Sequence, residues 1–299
     1  MKALVTGGAG FIGSNLVDTL IEQGYEVIVI DNEYSDAHES FYWNSKAQNH
    51  KYDICDYENT RPLYDGVDYV FHIAAEARIQ PSIENPINAV HINSVGTCTV
   101  LQCAREAGVK KVMYSSTSAA YGMLNEIPNV ETQPDDCLNP YSISKVNGEK
   151  LCTMYTNLFG LKTIIFRYFN VYGERQPIRG QYAPVIGIFL RQKNSGEPLT
   201  IVGDGEQRRD FTHVSDVVNA NILAAVTDID DEFYGTLFNV GSGKNHSVNE
   251  IASLISDDIV NIPSRIGESR VTLADNTKLK TILGWESKVE VETWIGENL

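Results

Sequence analysis

Short β-branched runs alternate with stretches of helical periodicity along the first half of the chain. Apolar runs at Lys2–Thr6, Glu26–Asp31, Tyr69–Ile73, Lys111–Ser115 and Lys162–Tyr168 predict strands. Between them, apolar positions recurring at helical spacing predict helices at Phe11–Gln23, Pro86–Ala107 and Tyr141–Phe159. Strands that alternate with helices predict an α/β fold built on a parallel, doubly wound sheet. Right-handed crossovers then bring the strand C-terminal ends, and any ligand, to one edge. After Asn170 the texture changes, and the stretch from Gly173 to Asp210 is rich in Gly, Pro, Arg and Asp, with few clean periodic runs. Residues 1–170 are therefore expected to form the sheet domain. Residues 171–299 are expected to form mostly a smaller, discontinuous domain capping its open edge, with some segments returning to the sheet.

Composition narrows the function classes. The chain has 299 residues, 42% hydrophobic and 21% charged, enough for a sizeable core. Its formal net charge of −15 does not advertise the basic face a nucleic-acid partner requires. No apolar stretch approaches the roughly 20 residues that cross a bilayer. Met1-Lys2 leads straight into a short apolar run, so no secretory signal and a cytoplasmic location are expected. Five cysteines without a C-x-x-C pair predict neither a disulfide framework nor a metal site.

The segment Thr6-Gly7-Gly8-Ala9-Gly10-Phe11-Ile12-Gly13 joins the first strand to the first helix through glycines spaced G-x-x-G-x-x-G. Gly7 permits a tight turn, Gly10 lets backbone approach a pyrophosphate, and Gly13 lets the helix lie close on the sheet. The helix N-terminus then offers free N–H groups to phosphates, as in Rossmann dinucleotide sites. Asp31 ends the second strand, 18 residues after Gly13. A carboxylate there accepts from adenosine ribose hydroxyls and repels a 2′-phosphate, which favours NAD over NADP. The competing reading of Asp31 is a turn residue before Asn32.

Tyr141 and Lys145 stand four apart and share a helix face. A phenol near pKa 10 is a poor base at neutral pH. A neighbouring ammonium and a nicotinamide cation would each favour phenolate. The same Y-x-x-x-K spacing recurs at Tyr42–Lys46, where it reads as surface loop. Tyr141 differs in opening a strong helical pattern after Asn139-Pro140, and Thr117, 24 residues upstream at a strand end, can bring a hydroxyl to it. A plain helix-surface pair is the alternative.

Together these motifs resemble the extended short-chain dehydrogenase/reductase family, and within it the nucleoside-diphosphate-sugar 4-epimerases of the UDP-glucose and UDP-N-acetylglucosamine type. The likeness runs through TGGAGFIG at 6–13, YDICD at 52–56, FHIAAEA at 71–77, INSVGT at 92–97, YSSTSAAYG at 114–122, YSISK at 141–145, FRYFNVYG at 166–173 and GDGEQRRDFTHVSDV at 203–217. It implies NAD held by Gly7, Gly10, Phe11, Ile12, Gly13, Asp31, Asn32, Asp53, Ile54, Ala74, Ala75, Asn93, Ser115, Tyr141, Lys145 and Tyr168. It implies Thr117, Tyr141 and Lys145 as the catalytic set. A UDP-sugar would meet Glu76, Ser116, Thr117, Tyr141, Asn170, Val185, Arg209, Arg265, Glu268 and Thr272. Arg209 and Arg265 would clamp its diphosphate, which suits guanidinium geometry. Glu268 stands where the family usually has aspartate. Without the family context, Asp53 reads as a turn residue, Asn93 as a polar group inside a helix, and Arg208-Arg209 as a solvated charge pair. Helices at Asn88–Ala107 and Tyr141–Phe159 resemble the pair that builds a four-helix homodimer interface in family members, with a core role for both as the alternative.

The reaction follows from what is missing. Related dehydratases carry Asp-Glu just after the catalytic threonine, and decarboxylases a glutamate in that stretch, whereas Thr117 precedes Ser118-Ala119-Ala120. The resemblance therefore implies NAD-dependent 4-epimerisation through a transient 4-ketose. A bulky tyrosine excludes N-acetyl groups at the family position matching Thr272, so a small residue leaves room for them. A UDP-glucuronate epimerase, a nucleotide-sugar reductase or dehydratase, and a non-catalytic NAD sensor remain as other readings.

Overall fold

The computed structural model describes residues 1–35, 37–38, 40–178, 183–264, 267 and 269–299. Its first six strands are β1 (Lys2–Thr6), β2 (Glu26–Ile30), β3 (Gln48–His50), β4 (Tyr69–His72), β5 (Lys111–Thr117) and β6 (Thr163–Tyr168). The short pairs β7 (Val171–Tyr172) with β10 (Thr212–His213), β8 (Leu199–Val202) with β13 (Ile259–Ile262), and β9 (Arg208–Asp210) with β12 (Asn245–Ser247) lie apart from them. β11 (Leu237–Val240) returns to the main sheet, whose order is β3-β2-β1-β4-β5-β6-β11 with every pairing parallel. This is a Rossmann-type doubly wound sheet, and its order reverses between β1 and β4, where such sheets take their ligands.

Side chains alternate between two cores. Ala3 and Val5 of β1 face one cluster with helices α1 (Phe11–Glu22) and α8 (Val214–Val226), while Leu4 faces the other. That second cluster takes in α5 (Thr97–Ala107) and α6 (Pro140–Phe159). Burial on both faces is why the strands read as continuous apolar runs rather than alternating ones. A third cluster joins α7 (Val185–Asn194), β8, α9 (Val248–Ile255) and α11 (Val291–Glu297) through Ile186, Phe189, Ile201, Ile251 and Trp294. The long irregular stretch expected after Gly173 thus contains one full helix, α7.

The helix expected at Pro86–Ala107 is broken. After α4 (Pro86–Val90) a π-helical turn spans His91–Gly96, and only then does α5 begin. The wider turn aims buried Asn93 inward, where it accepts from Glu76 N–H (2.9 Å) and donates to the Glu76 carbonyl and the Ser144 hydroxyl (each 2.9 Å). A period-based reading cannot anticipate this, because the inserted residue shifts the phase of every later position. Helix α6 is bounded by a capping box between Asn139 and Ser142 and by left-handed Gly160 (φ 71°), with Pro140 in its first turn. No described helix is long and apolar enough to cross a membrane.

Candidate active site

A cleft of about 920 Å³ runs along the strand C-terminal ends, from the glycine turn to the third core. At its first end Gly7 has φ +69°, and a Cβ there would lie 2.8 Å from Ala74 N, so the ends of β1 and β4 nearly touch. A Cβ on Gly13 would lie 2.0 Å from the Gly7 carbonyl oxygen, so only glycine lets α1 start against the turn. No side chain caps α1, and Gly10, Phe11, Ile12 and Gly13 line the cleft. A backbone cradle that side chains neither fill nor cap suits a pyrophosphate.

Asp31 accepts from Ala9 N–H (3.1 Å) and Glu33 N–H (2.8 Å), so it braces the turn while facing the cleft. Burial raises its pKa against those two bonds. The turn-residue and ligand readings of Asp31 are compatible in this geometry. Asp53 accepts from Cys55 N–H (2.8 Å) and from the Asn32 amide (2.9 Å), and Asp53 and Asn32 line the cleft with Ile54, Ala74 and Ala75.

At the middle of the cleft, Thr117 ends β5 and Tyr141 opens α6. The Thr117 hydroxyl lies close enough to the Tyr141 phenol to influence its pKa, and Thr117 Oγ1 accepts from Ala119 N–H at 3.1 Å. Burial pushes the phenol's pKa up, the Thr117 hydroxyl draws it down, and the Glu76 carboxylate pushes it up again. The pull expected from Lys145 is not among these influences. Burial presses the Lys145 amine down to about 7, and its Nζ lies 4.4 Å from the Tyr114 ring centroid. Lys145 does not line the cleft, and neither do Asn93 or Ser115. The Ser115 hydroxyl donates to Tyr168 Oη (3.0 Å), which also receives the Asn221 amide (2.7 Å). Tyr168 does line the cleft, with its phenol pushed up to about 12 by burial. Tyr42–Lys46 is loop, as expected.

At the far end, Asn170 donates to the Asp210 carbonyl (3.1 Å) and to Thr272 Oγ1 (3.2 Å), and both Asn170 and Thr272 line the cleft with Val185 and Arg209. Arg208 turns away to pair with Glu250 and Asn245. Arg209, whose guanidinium donates to the Arg208 and Arg270 carbonyls, is the one of the pair that lines the cleft. Arg265 and Glu268 lie outside the described residues. Glu76 and Ser116 also line the cleft. Sequence reasoning missed His38, Arg78, Arg191 and Gln207, which face it as well. His38, Arg78 and Arg191 come from segments with no motif of their own, whereas Gln207 lies within the 203–217 motif, directly before the arginine pair.

The arrangement sets a phenol and a hydroxyl midway between an anion cradle and a second cationic end. It suits proton transfer on a substrate spanning both. The NAD dependent epimerase/dehydratase family model matches residues 3–241. The UDP-glucose 4-epimerase of Mycolicibacterium smegmatis is 34% identical over 310 residues, covering 100% of this chain and 97% of that protein. The UDP-N-acetyl-α-D-glucosaminuronate decarboxylase of Bacillus cytotoxicus is 35% identical over 320 residues, covering 100% and 96%. The solved UDP-glucose 4-epimerase of Thermotoga maritima with UDP-glucose superposes with a TM-score of 0.93 at 37% identity, covering 99% of this chain and 96% of that one.

Proposed function

Because the chain belongs to the NAD-dependent epimerase/dehydratase family and NAD is its cofactor, we propose that it inverts C4 of a UDP-sugar. The observation that carries this reading is the placing of Thr117 and Tyr141 together in the cleft wall, between the glycine turn and Arg209.

Tyr141, as phenolate, takes the proton of the sugar 4-hydroxyl, and Thr117 beside it stabilises the phenolate that does so. When bound, NAD supplies a reversible hydride acceptor and, in oxidised form, a positive charge opposing the upward push of burial on the phenol. The N–H groups of Gly10–Gly13 hold its pyrophosphate and Asp31 its adenosine ribose. Asn170 and Arg209, with Arg265, anchor the substrate diphosphate. The sugar turns about that anchor and presents its other face to the cofactor, so that C4 would take the hydride back on that face while Tyr141 returns the proton to O4. Anchoring keeps the intermediate from escaping and makes the second half-reaction unimolecular.

Thr117 is followed by Ser118-Ala119-Ala120, so the carboxylate that dehydratases and decarboxylases place there is missing, which disfavours those readings. Thr272 leaves room beside the sugar, so UDP-N-acetylglucosamine/galactosamine joins UDP-glucose/galactose as substrate. Exposed apolar side chains on the Asn88–Ala107 and α6 helices, among them Val95, Ile143 and Leu158, support a homodimer.

Incubation with a panel of UDP-sugars tests the reading. C4-inverted product should form from neutral sugars, with no net formation of NADH or loss of carbon dioxide. Tyr141→Phe should lower turnover by about 10²–10⁴-fold while NAD stays bound. Turnover of UDP-glucose with none of its N-acetyl analogue would refute the role given to Thr272. C4 inversion of uronates alone would refute the neutral-sugar reading, and loss of carbon dioxide without C4 inversion would refute the reaction.

A further inference from the structure

Tyr141, Lys145 and Glu149 follow one another at intervals of four on α6 and share a face. Glu149 does not line the cleft. It is 1% exposed, and Arg167, with no exposed surface, grips it twice, Nε to Oε1 at 2.8 Å and Nη2 to Oε2 at 2.6 Å. Arg167 Nη2 reaches Asp135 as well. A carboxylate held by two parallel bonds has a fixed orientation. Its Oε1 accepts the Ser116 hydroxyl at 2.5 Å, and Ser116, beside Thr117, lines the cleft. A serine hydroxyl carries one hydrogen. With that hydrogen committed to Glu149, Ser116 Oγ has only lone pairs left for a ligand. Burying an ion pair is a poor route to stability, which directs attention to a role in orientation.

We propose that the Arg167–Glu149 pair positions Ser116 so that its oxygen meets the bound sugar only as a hydrogen-bond acceptor, making Ser116 a specificity residue that requires a hydroxyl donor on the ring. The proposal rests on the UDP-sugar reading above. Glu149 and Arg167 are positioning residues, since they act through Ser116.

The test uses full-length, NAD-loaded enzyme and UDP-sugars in which fluorine replaces one ring hydroxyl at a time. Fluorine keeps the size and loses the donor. Affinities are measured by competition against the parent sugar, with UDP as the ring-free reference. The wild type should disfavour one fluoro analogue by about tenfold or more. Ser116→Ala and Glu149→Gln should each bring that ratio to within about twofold, and the double variant should do no more than either alone. Glu149→Asp, which keeps the charge but withdraws the carboxylate from Ser116, should act like Glu149→Gln and serves if the amide variant does not fold. Equal affinity of the wild type for every fluoro analogue would overturn the proposal, as would a ratio that survives Ser116→Ala. Additive effects of the two substitutions would place the action of Glu149 elsewhere and overturn it too. Wild-type turnover of UDP-sugars is scored separately, so failure of the underlying reading shows as loss of turnover and UDP affinity together.

Discussion

Replacing Lys145 with methionine should make the NAD-free protein more stable near neutral pH. Lys145 is 2% exposed, and burial lowers its pKa from 10.5 to about 7. In the unfolded chain the same amine titrates near 10.4. Above that pH both states are neutral and the residue carries no penalty. As pH falls from about 10.4 toward 7, the unfolded chain takes up a proton that the folded protein refuses, so stability drops. Below about 7 both states are charged and the penalty is complete. The gap corresponds to a ceiling of about 5 kcal/mol. Methionine of similar length gives up the contact with the Tyr114 ring, worth about 0.5–2 kcal/mol. Glu149 is not orphaned, because Arg167 still holds it. A net gain of about 2–4 kcal/mol at pH 6.5 is expected, fading as pH approaches 10.5. Urea unfolding at several pH values, followed by the fluorescence of the three tryptophans, measures it. A variant less stable than wild type at pH 6.5, or a difference independent of pH, would refute the reasoning.

Other perturbations probe the remaining parts of the cleft. Thr117→Val removes the hydroxyl that draws the Tyr141 phenol down, so the low-pH limb of kcat/KM should move up by roughly one to two pH units. Activity near pH 7.5 should fall about 10–150-fold with partial recovery in alkali; an equal loss at every pH would contradict this account. Asp31→Asn keeps the shape but not the charge, and equilibrium titration should show NAD bound about tenfold more weakly and NADP less strongly excluded. Unchanged discrimination would remove Asp31 from that role. Gly13→Ala would set a methyl 2.0 Å from the Gly7 carbonyl oxygen, so the purified variant should have lost its NAD and several degrees of Tm; normal NAD content would show that the turn can relax.

What the sequence disclosed depended on how local the cause was. β1, the glycine turn and α1 are contiguous, and Gly13 answers to the Gly7 carbonyl six residues before it, so the cofactor end was legible. Helix α6 announced itself through Asn139-Pro140, a local capping signal. Helix α7 was missed because Ile186 and Phe189 bury against α9 and α11, far along the chain. Asp210 was passed over beside Arg209. It accepts from Ser242 N–H and hydroxyl, Gly243 N–H and Ala274 N–H, tying together pieces that sequence leaves far apart. The spacing of Tyr141 and Lys145 gave the shared face, but the burial that sets the protonation of the amine comes from β5 and Tyr114, which no helical pattern records.

The return of β11 to the main sheet matters while the protein is still being made. β6 is buried along its whole length, yet its outer neighbour begins at Leu237, about 70 residues after β6 ends at Tyr168. At roughly 5–20 residues per second, a ribosome leaves that apolar strand without its partner for roughly 4–14 seconds. During that interval the nascent chain displays an open, β-branched edge of the kind that recruits other strands. Chaperone capture, or a pause in translation, is most useful to this protein between those two points.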